Sequence, residues 1–541
     1  MRKIIFFILW HVLSAHATFA FDRQDTLRGS NGRGRSWWDV QHYSLQLSFD
    51  TARKSIEGHV TVKANIIAPP SDSLQLDLQE LMFLDSVVMD GQNLGLAKEG
   101  NVFWVKHPFS SLPVGHALEF TAYYHGRPRI AKNPPWDGGF IWTKDSVGNP
   151  WIAVACQGLG ASAWWPCKDY QGDEPDSGLL QYFDTQITLS SIGNGHLTER
   201  VSIQIGEEPN EGWRWEIQNP INTYNATFYI GDYVSWTDTL MGEKGKLDLS
   251  FHVLRYNEAR ARKHFEVTKQ MLHCFEYWMG PYPFYEDGYK LVEAPYLGME
   301  HQSAVAYGNE YKMGYRGTDR SRTGVGMLFD YIIIHESGHE WFGNNITAQD
   351  PADNWLHEGF TTYTEALFAE CAFGKEKAFQ YTTGEWANIR NDKPVIGEYG
   401  VNDEGSGDRY DKGSAVVHMI RLIMNDDEKF RQLLRGLNRD FYHQIVTSEQ
   451  VEEYISKFAG YDFAPLFNQY LRTRKIPKLK WHIRKKMLYY KFADAVEGFS
   501  LPLRMTSGKK TEVLTVTTEW QSIKSKRGFD VTFQEEFLIK D

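Results

Sequence analysis

The sequence predicts a multidomain α+β protein: an N-terminal all-β domain, a mainly helical middle domain and a small C-terminal β-sandwich-like module. Two observations carry this. The 541-residue chain is too long for a single hydrophobic core to be the default. Its hydrophobic periodicity also changes twice, from two to that of helices and back to two.

The β domain is read first, over 36–240. After a polar stretch ending near Arg35, apolar residues alternate as Tyr43, Leu45, Leu47, Phe49, then Val60, Val62, Ala64, Ile66, then Leu74, Leu76, Leu78. These are half-buried strands, separated by turn signals such as Ala68-Pro69-Pro70 and Asp90-Gly91. The middle domain, 241–476, turns helical from about Asn257. Phe265, Met271, Leu272, Phe275 and Trp278 share one amphipathic stretch that ends at Gly280-Pro281. Further helices are expected at 324–343, 358–373, 413–425 and 428–437, and from Thr447, where Thr447 and Gln450 can form a capping box. Past Pro477 the helices stop. Strands are expected around 480–483, 488–492, 501–505, 513–517 and 528–537, making a module over 477–541 that leans on the middle domain.

Arg2 and Lys3, the apolar run from Ile4 to Leu13, and small residues at Ala15, Ala17 and Ala20 read as a secretory signal peptide over 1–20. The run is too short to span a bilayer, so the expectation is an exported protein, periplasmic or extracellular, with no stable membrane insertion after cleavage. The composition is 42% hydrophobic and 14% aromatic, which excludes disorder. A formal net charge of −11 argues against nucleic acid as a partner. Export would let the four cysteines pair. Cys156 and Cys167 are close enough in sequence to bridge, yet buried thiols fit as well, and none of the four has zinc spacing.

The chemistry centres on His335-Glu336-Ser-Gly-His339, an H-E-x-x-H segment inside an apolar helical run. Residues four apart face the same way on a helix, so both imidazoles can reach one ion. A catalytic zinc wants three protein ligands and an open position. Glu358, nineteen residues after His339 at the start of the next helix, can supply the third. His357 beside it points about 100° away on a helix, so only one of the two can face the metal, and Glu358 is preferred. Glu336 is then available to take a proton from water. Glu365 returns to the Glu358 face after two turns, where it either orients a histidine or faces solvent.

These residues resemble the aminopeptidase N and leukotriene hydrolase family of zinc metallopeptidases, marked by H-E-x-x-H, eighteen intervening residues and Glu. The resemblance extends to Trp341-Phe342-Gly343-Asn344, to Trp355-Leu356, to Tyr410-Asp411-Lys412-Gly413, and to Tyr296-Leu297-Gly298-Met299-Glu300-His301, which is similar to the G-x-M-E-N exopeptidase motif. It implies a thermolysin-like catalytic domain and one Zn2+ per chain. It also implies oxyanion stabilisation by Tyr410, capture of the substrate amine by Glu300, and substrate contacts from Gly298, Met299 and Gln157. Leu297 and His301 depart from the motif, and Glu340 stands where many members have Gln. The chain looks like a short form without the helical C-terminal domain that many members carry.

The expected function is therefore a zinc aminopeptidase acting on peptides with a free N-terminus. A zinc endopeptidase, an epoxide hydrolase on the same fold and an inactive exported binding protein are the alternatives. The last would lack a ligand or the base, and all four residues are present.

Overall fold

In the computed structural model, the described residues are 21–156, 160–173, 178–186, 189–205, 208–524, 531–534 and 536–540. The signal-like segment and Gln157 lie outside them.

Period-two alternation builds the N-terminal β structure as expected. Trp38–Asp50 pairs antiparallel with Ser55–Ile66, setting Tyr43 opposite Val62, Leu45 opposite Val60 and Phe49 opposite Ile56. Each of these side chains is buried. The two strands sit centrally in an eight-stranded sheet, accompanied by a four-stranded sheet and by a three-stranded sheet that includes Ser73–Asp77. Their inner faces form one core with Trp38, Trp164 and Trp165.

The catalytic half opens on strands that the helical reading did not anticipate. A five-stranded sheet runs in the order Tyr233–Gly242, Gly245–Leu254, Tyr289–Glu293, Val305–Tyr307, Gly298–Met299. It is a partition wall. Leu291, Leu297, Val305 and Tyr307 belong to the catalytic core, whereas Val292, Met299 and Ala306 belong to the N-terminal core. Because successive strand residues point to opposite faces, one sheet fastens two cores back to back. A strand buried on both faces loses its alternating signature, which is why periodicity alone missed it.

The helices follow the expected order with adjusted limits: Val267–Met279, Tyr331–Gly338, Trp355–Phe373, Asp411–Met424, Asp427–Asp440 and Ser448–Ala459. The run expected over 324–343 is shorter because Asp330 caps its start, accepting from the Ile332 and Ile333 N–H groups. Thr447 and Gln450 do form a reciprocal capping box. Lys375–Glu385 and Ala464–Leu471 are further helices. The C-terminal residues form two three-stranded sheets, and Leu479, Leu501 and Leu503 share the core of the catalytic helices.

The disulfide joins Cys274 to Cys371, linking the Val267–Met279 and Trp355–Phe373 helices. Cys156 and Cys167 do not bridge; both are buried thiols in the N-terminal core. Burial pushes the Cys156 thiol up to about 12. No helix among the described residues is long and apolar enough to cross a membrane.

Candidate active site

His335 and His339 come from the Tyr331–Gly338 helix and the residue that ends it, and Glu358 from the first turn of Trp355–Phe373. Their donor atoms converge. Glu358 Oε2 lies 3.6 Å from His335 Nε2 and 3.3 Å from His339 Nε2. Ligand atoms arranged tetrahedrally around an ion at 2.0–2.1 Å are roughly 3.3–3.4 Å apart, so the set fits one zinc.

Both rings are aimed from behind. His335 Nδ1 meets Glu365 Oε1 at 2.7 Å, and His339 Nδ1 meets the Phe342 carbonyl oxygen at 3.0 Å. Those acceptors hold each proton on Nδ1 and leave the Nε2 lone pair for the metal. Glu365 therefore faces the histidine, not solvent. Its other carboxylate oxygen accepts from the Tyr381 hydroxyl. His357 is directed elsewhere: its Nε2 accepts the Ala348 N–H at 2.7 Å, and burial holds the ring neutral with a pKa of about 3.

Two close approaches complete the centre. Gly359 and Gly413 sit back to back where two helices cross; a Cβ on Gly359 would lie 2.9 Å from the Gly413 Cα. That crossing brings the Tyr410 hydroxyl to 2.6 Å from Glu358 Oε1, which accepts its proton in a hydrogen bond. Burial and the Glu358 charge hold the Tyr410 phenol well above its ordinary range, so it stays a donor. A Cβ on Gly298 would be 2.7 Å from Glu336 Oε1, so a side chain there would displace that carboxylate. Burial raises Glu336 to about 7 against the opposing pull of His335.

Glu300 follows the edge strand Gly298–Met299. Carboxylate oxygens of Glu300 and Glu336 and a ring nitrogen of His339 all lie within 4.8 Å of one another. Burial raises the Glu300 pKa, with His339 acting the other way, and the Tyr224 hydroxyl donates to Glu300 Oε1 at 3.3 Å. The loop after it is clamped from several sides. Glu340 accepts the Ser303 N–H at 2.9 Å, and Asn344 Nδ2 donates to the Glu300 carbonyl at 2.8 Å. Asn225, from the N-terminal half, donates to Asn344 Oδ1 at 2.8 Å. His301 points away from the centre, its Nδ1 lying 3.0 Å from the Tyr229 hydroxyl.

Sequence reasoning did not find Tyr224, Asn225 or the Glu340 clamp. Asn344 stood within the motif it quoted, but without a role.

Two cavities meet at this centre. The larger, about 800 Å3, is lined by Gly298, Met299, Glu300, Glu336, the three metal donors and Tyr410, among others. The smaller recess, about 70 Å3, lies against Glu300, Tyr224 and Glu358, and Cys156 and Gly160 also line it.

Residues 263–470 match the peptidase family M1 domain. Leukotriene A-4 hydrolase of Xenopus laevis is 22% identical over 454 residues, covering 78% of this chain and 68% of that protein. Aminopeptidase B of Rattus norvegicus is 27% identical over 284 residues, 48% of this chain and 41% of that protein. Aminopeptidase N of Lactobacillus helveticus is 21% identical over 469 residues, 81% of this chain and 51% of that protein. The chain thus spans about two thirds of the first relative's length and about two fifths and one half of the other two. Among solved structures, an M1 zinc metallopeptidase of Deinococcus radiodurans, as a mutant bound to a Tyr-Ser-Ala substrate, superposes with a TM-score of 0.69 at 20% identity. The match covers 82% of this chain and 96% of that one. The same fold is seen in a two-domain M1 zinc metallopeptidase bound to L-tryptophan, with a TM-score of 0.68 at 20% identity over 82% of this chain and 97% of that one. A donor set of two histidines and a glutamate that fits one zinc thus lies within a segment that matches the peptidase M1 domain, in a chain whose fold is that of M1 zinc metallopeptidases.

Proposed function

We propose that the protein is an aminopeptidase that hydrolyses the first peptide bond of peptides with a free N-terminus. The observation carrying this reading is the Glu300 carboxylate, buried within 4.8 Å of the Glu336 carboxylate. The α-nitrogen and carbonyl carbon of one residue are only about 2.5 Å apart. An ammonium held by Glu300 therefore sets the first carbonyl, and no later one, beside the metal donors.

His335, His339 and Glu358 would hold the zinc, oriented by Glu365 and the Phe342 carbonyl. When bound, zinc supplies Lewis acidity that polarises the carbonyl and makes water more acidic. Glu336 takes the proton of the attacking water and returns it to the leaving amine; a base lifted toward neutral pH suits both transfers. Tyr410 donates its phenolic proton in a hydrogen bond to the oxygen as negative charge develops there. The edge strand Gly298–Met299 offers its backbone to an extended substrate, as an unpaired sheet edge can. The smaller recess receives the first side chain. Gln157 is proposed to contact the N-terminal residue; its neighbours Cys156 and Gly160 line that recess, which supports the assignment.

We further propose export through cleavage near residue 20. The Cys274–Cys371 disulfide supports an oxidising destination.

The decisive experiment compares aminoacyl amides bearing free and acetylated N-termini, using the zinc-loaded protein and its Glu300→Ala variant. The free amine should be cleaved and the acetylated one scarcely at all. Glu300→Ala should erase most of that difference, because the deleted ion pair exists in only one of the two complexes. Equal cleavage of both substrates by the unaltered protein would replace this reading with an endopeptidase.

A further inference from the structure

The larger cavity, which Glu300 also lines, carries several guanidinium groups on its wall, including Arg320, Arg322 and Arg390, in a chain whose formal net charge is −11. Their local partners differ. Arg320 is fixed by two contacts to the Asp411 carboxylate, at 3.0 and 3.1 Å. Among the described residues, neither Arg322 nor Arg390 has a carboxylate within ion-pairing distance of its side chain. Arg322 donates to the amide oxygen of Asn388 at 3.3 Å, and Arg390 meets Asp408 only through its backbone N–H, at 2.8 Å.

The acids of this wall are already engaged. Asp408 also accepts the Asn391 N–H at 2.6 Å, and Asp411 accepts from Asn388 as well as from Arg320. Both Arg322 and Arg390 are exposed to the cavity and carry charge that no neighbouring carboxylate neutralises.

The wall is within reach of a short substrate. The Arg320 guanidinium lies 5.3 Å from the Tyr331 ring centroid, and that ring stacks on His335 at 5.1 Å. Arg320 is thus no more than about 10 Å from the His335 ring, a span that two or three extended residues cover at roughly 3.3–3.6 Å each. With the amine at Glu300 and the first side chain in the smaller recess, the rest of the peptide enters the larger cavity, which Glu300 also lines.

We propose that Arg322 and Arg390, with Arg320 behind them, form a carboxylate-binding subsite on the leaving-group side of the scissile bond. Its ligand is a carboxylate two or three residues from the free amine: the C-terminus of a di- or tripeptide, or an acidic side chain at the same place. This inference rests on the aminopeptidase reading for its direction along the cleft. Guanidinium groups suit the task because they meet a carboxylate with paired, charge-assisted hydrogen bonds.

The test uses Ala-Ala-Ala, its C-terminal amide, and Ala-Ala-Asp amide on the zinc-loaded protein. The free acid should exceed the amide by about tenfold in kcat/KM, an advantage that shrinks as salt rises because the groups are solvent-exposed. The double variant Arg322→Gln/Arg390→Gln should bring the ratio close to one; both side chains lie at the surface, so the fold is not at stake. If Ala-Ala-Asp amide behaves like the free acid, the subsite reads any carboxylate at that position. If it behaves like the neutral amide, the subsite reads the chain terminus. Acid and amide cleaved within twofold of each other by the unaltered protein would overturn the proposal while leaving the aminopeptidase reading intact. If no peptide is cleaved, that reading fails instead, and calorimetric binding of acid and amide to the zinc-loaded Glu336→Gln protein still decides the subsite: equal affinities overturn it.

Discussion

The parts of the cleft proposed to hold the metal and the substrate amine are built in opposite ways. His335, His339, Glu358 and Glu365 come from two successive helices and the connection between them, and the longest chain separation among the bonds these four make with one another is that of His335 to Glu365, at 30 residues. Glu300 sits on a loop whose position depends on Glu340 and Asn344 from beyond the zinc helix and on Tyr224 and Asn225 from the other half of the molecule. The difference separates two tasks. On the proposed function, a compact helical pair would fix the reaction, and docking between the two halves would fix which end of a peptide is accepted.

Three substitutions probe that division. Glu336→Gln should have the largest effect, lowering kcat by about 10²–10⁴-fold with the zinc content unchanged, since it removes the base and no ligand. Near-normal turnover by that variant would remove Glu336 from the chemistry. Glu365→Gln should act next, weakening zinc affinity by about 10–100-fold through loss of the carboxylate behind His335, while metal-saturated protein keeps its preference for free amines. Competition with a chelator measures the first quantity, and unaltered zinc affinity would reduce Glu365 to a packing role. Glu340→Ala should have the smallest effect on turnover. It strands the buried Ser303 N–H, costing roughly 1–3 kcal/mol of stability. The ratio of free to acetylated substrate should fall several-fold while zinc affinity changes little. Should Glu340→Ala instead release zinc and spare that ratio, the two parts would not be separable in the way their construction suggests.

Legibility follows the same line. H-E-x-x-H with its downstream glutamate could be read because a helix fixes which residues share a face, and one loop limits where the next helix can begin. The alternating strands from Tyr43 to Ile66 were equally plain, because only one face of their sheet packs into a core. Less was visible where one element serves two neighbours. The strands from Tyr289 to Tyr307 lie against both cores and lost the pattern that marks a strand.

The sequence by itself marked the candidate metal donors, with Glu358 preferred over His357, the proposed base and the succession of β, helical and β regions, from spacings shorter than one helix and one loop. Only the tertiary structure decided that Glu358 turns inward while His357 bonds to Ala348. It alone paired Cys274 with Cys371 across 97 residues and set Arg322 and Arg390 on the wall of the same cavity as Glu300. The physical reason is one of range. Backbone geometry dictates what residues a few positions apart can do, whereas partners many tens of residues apart are chosen by packing, which no local pattern encodes.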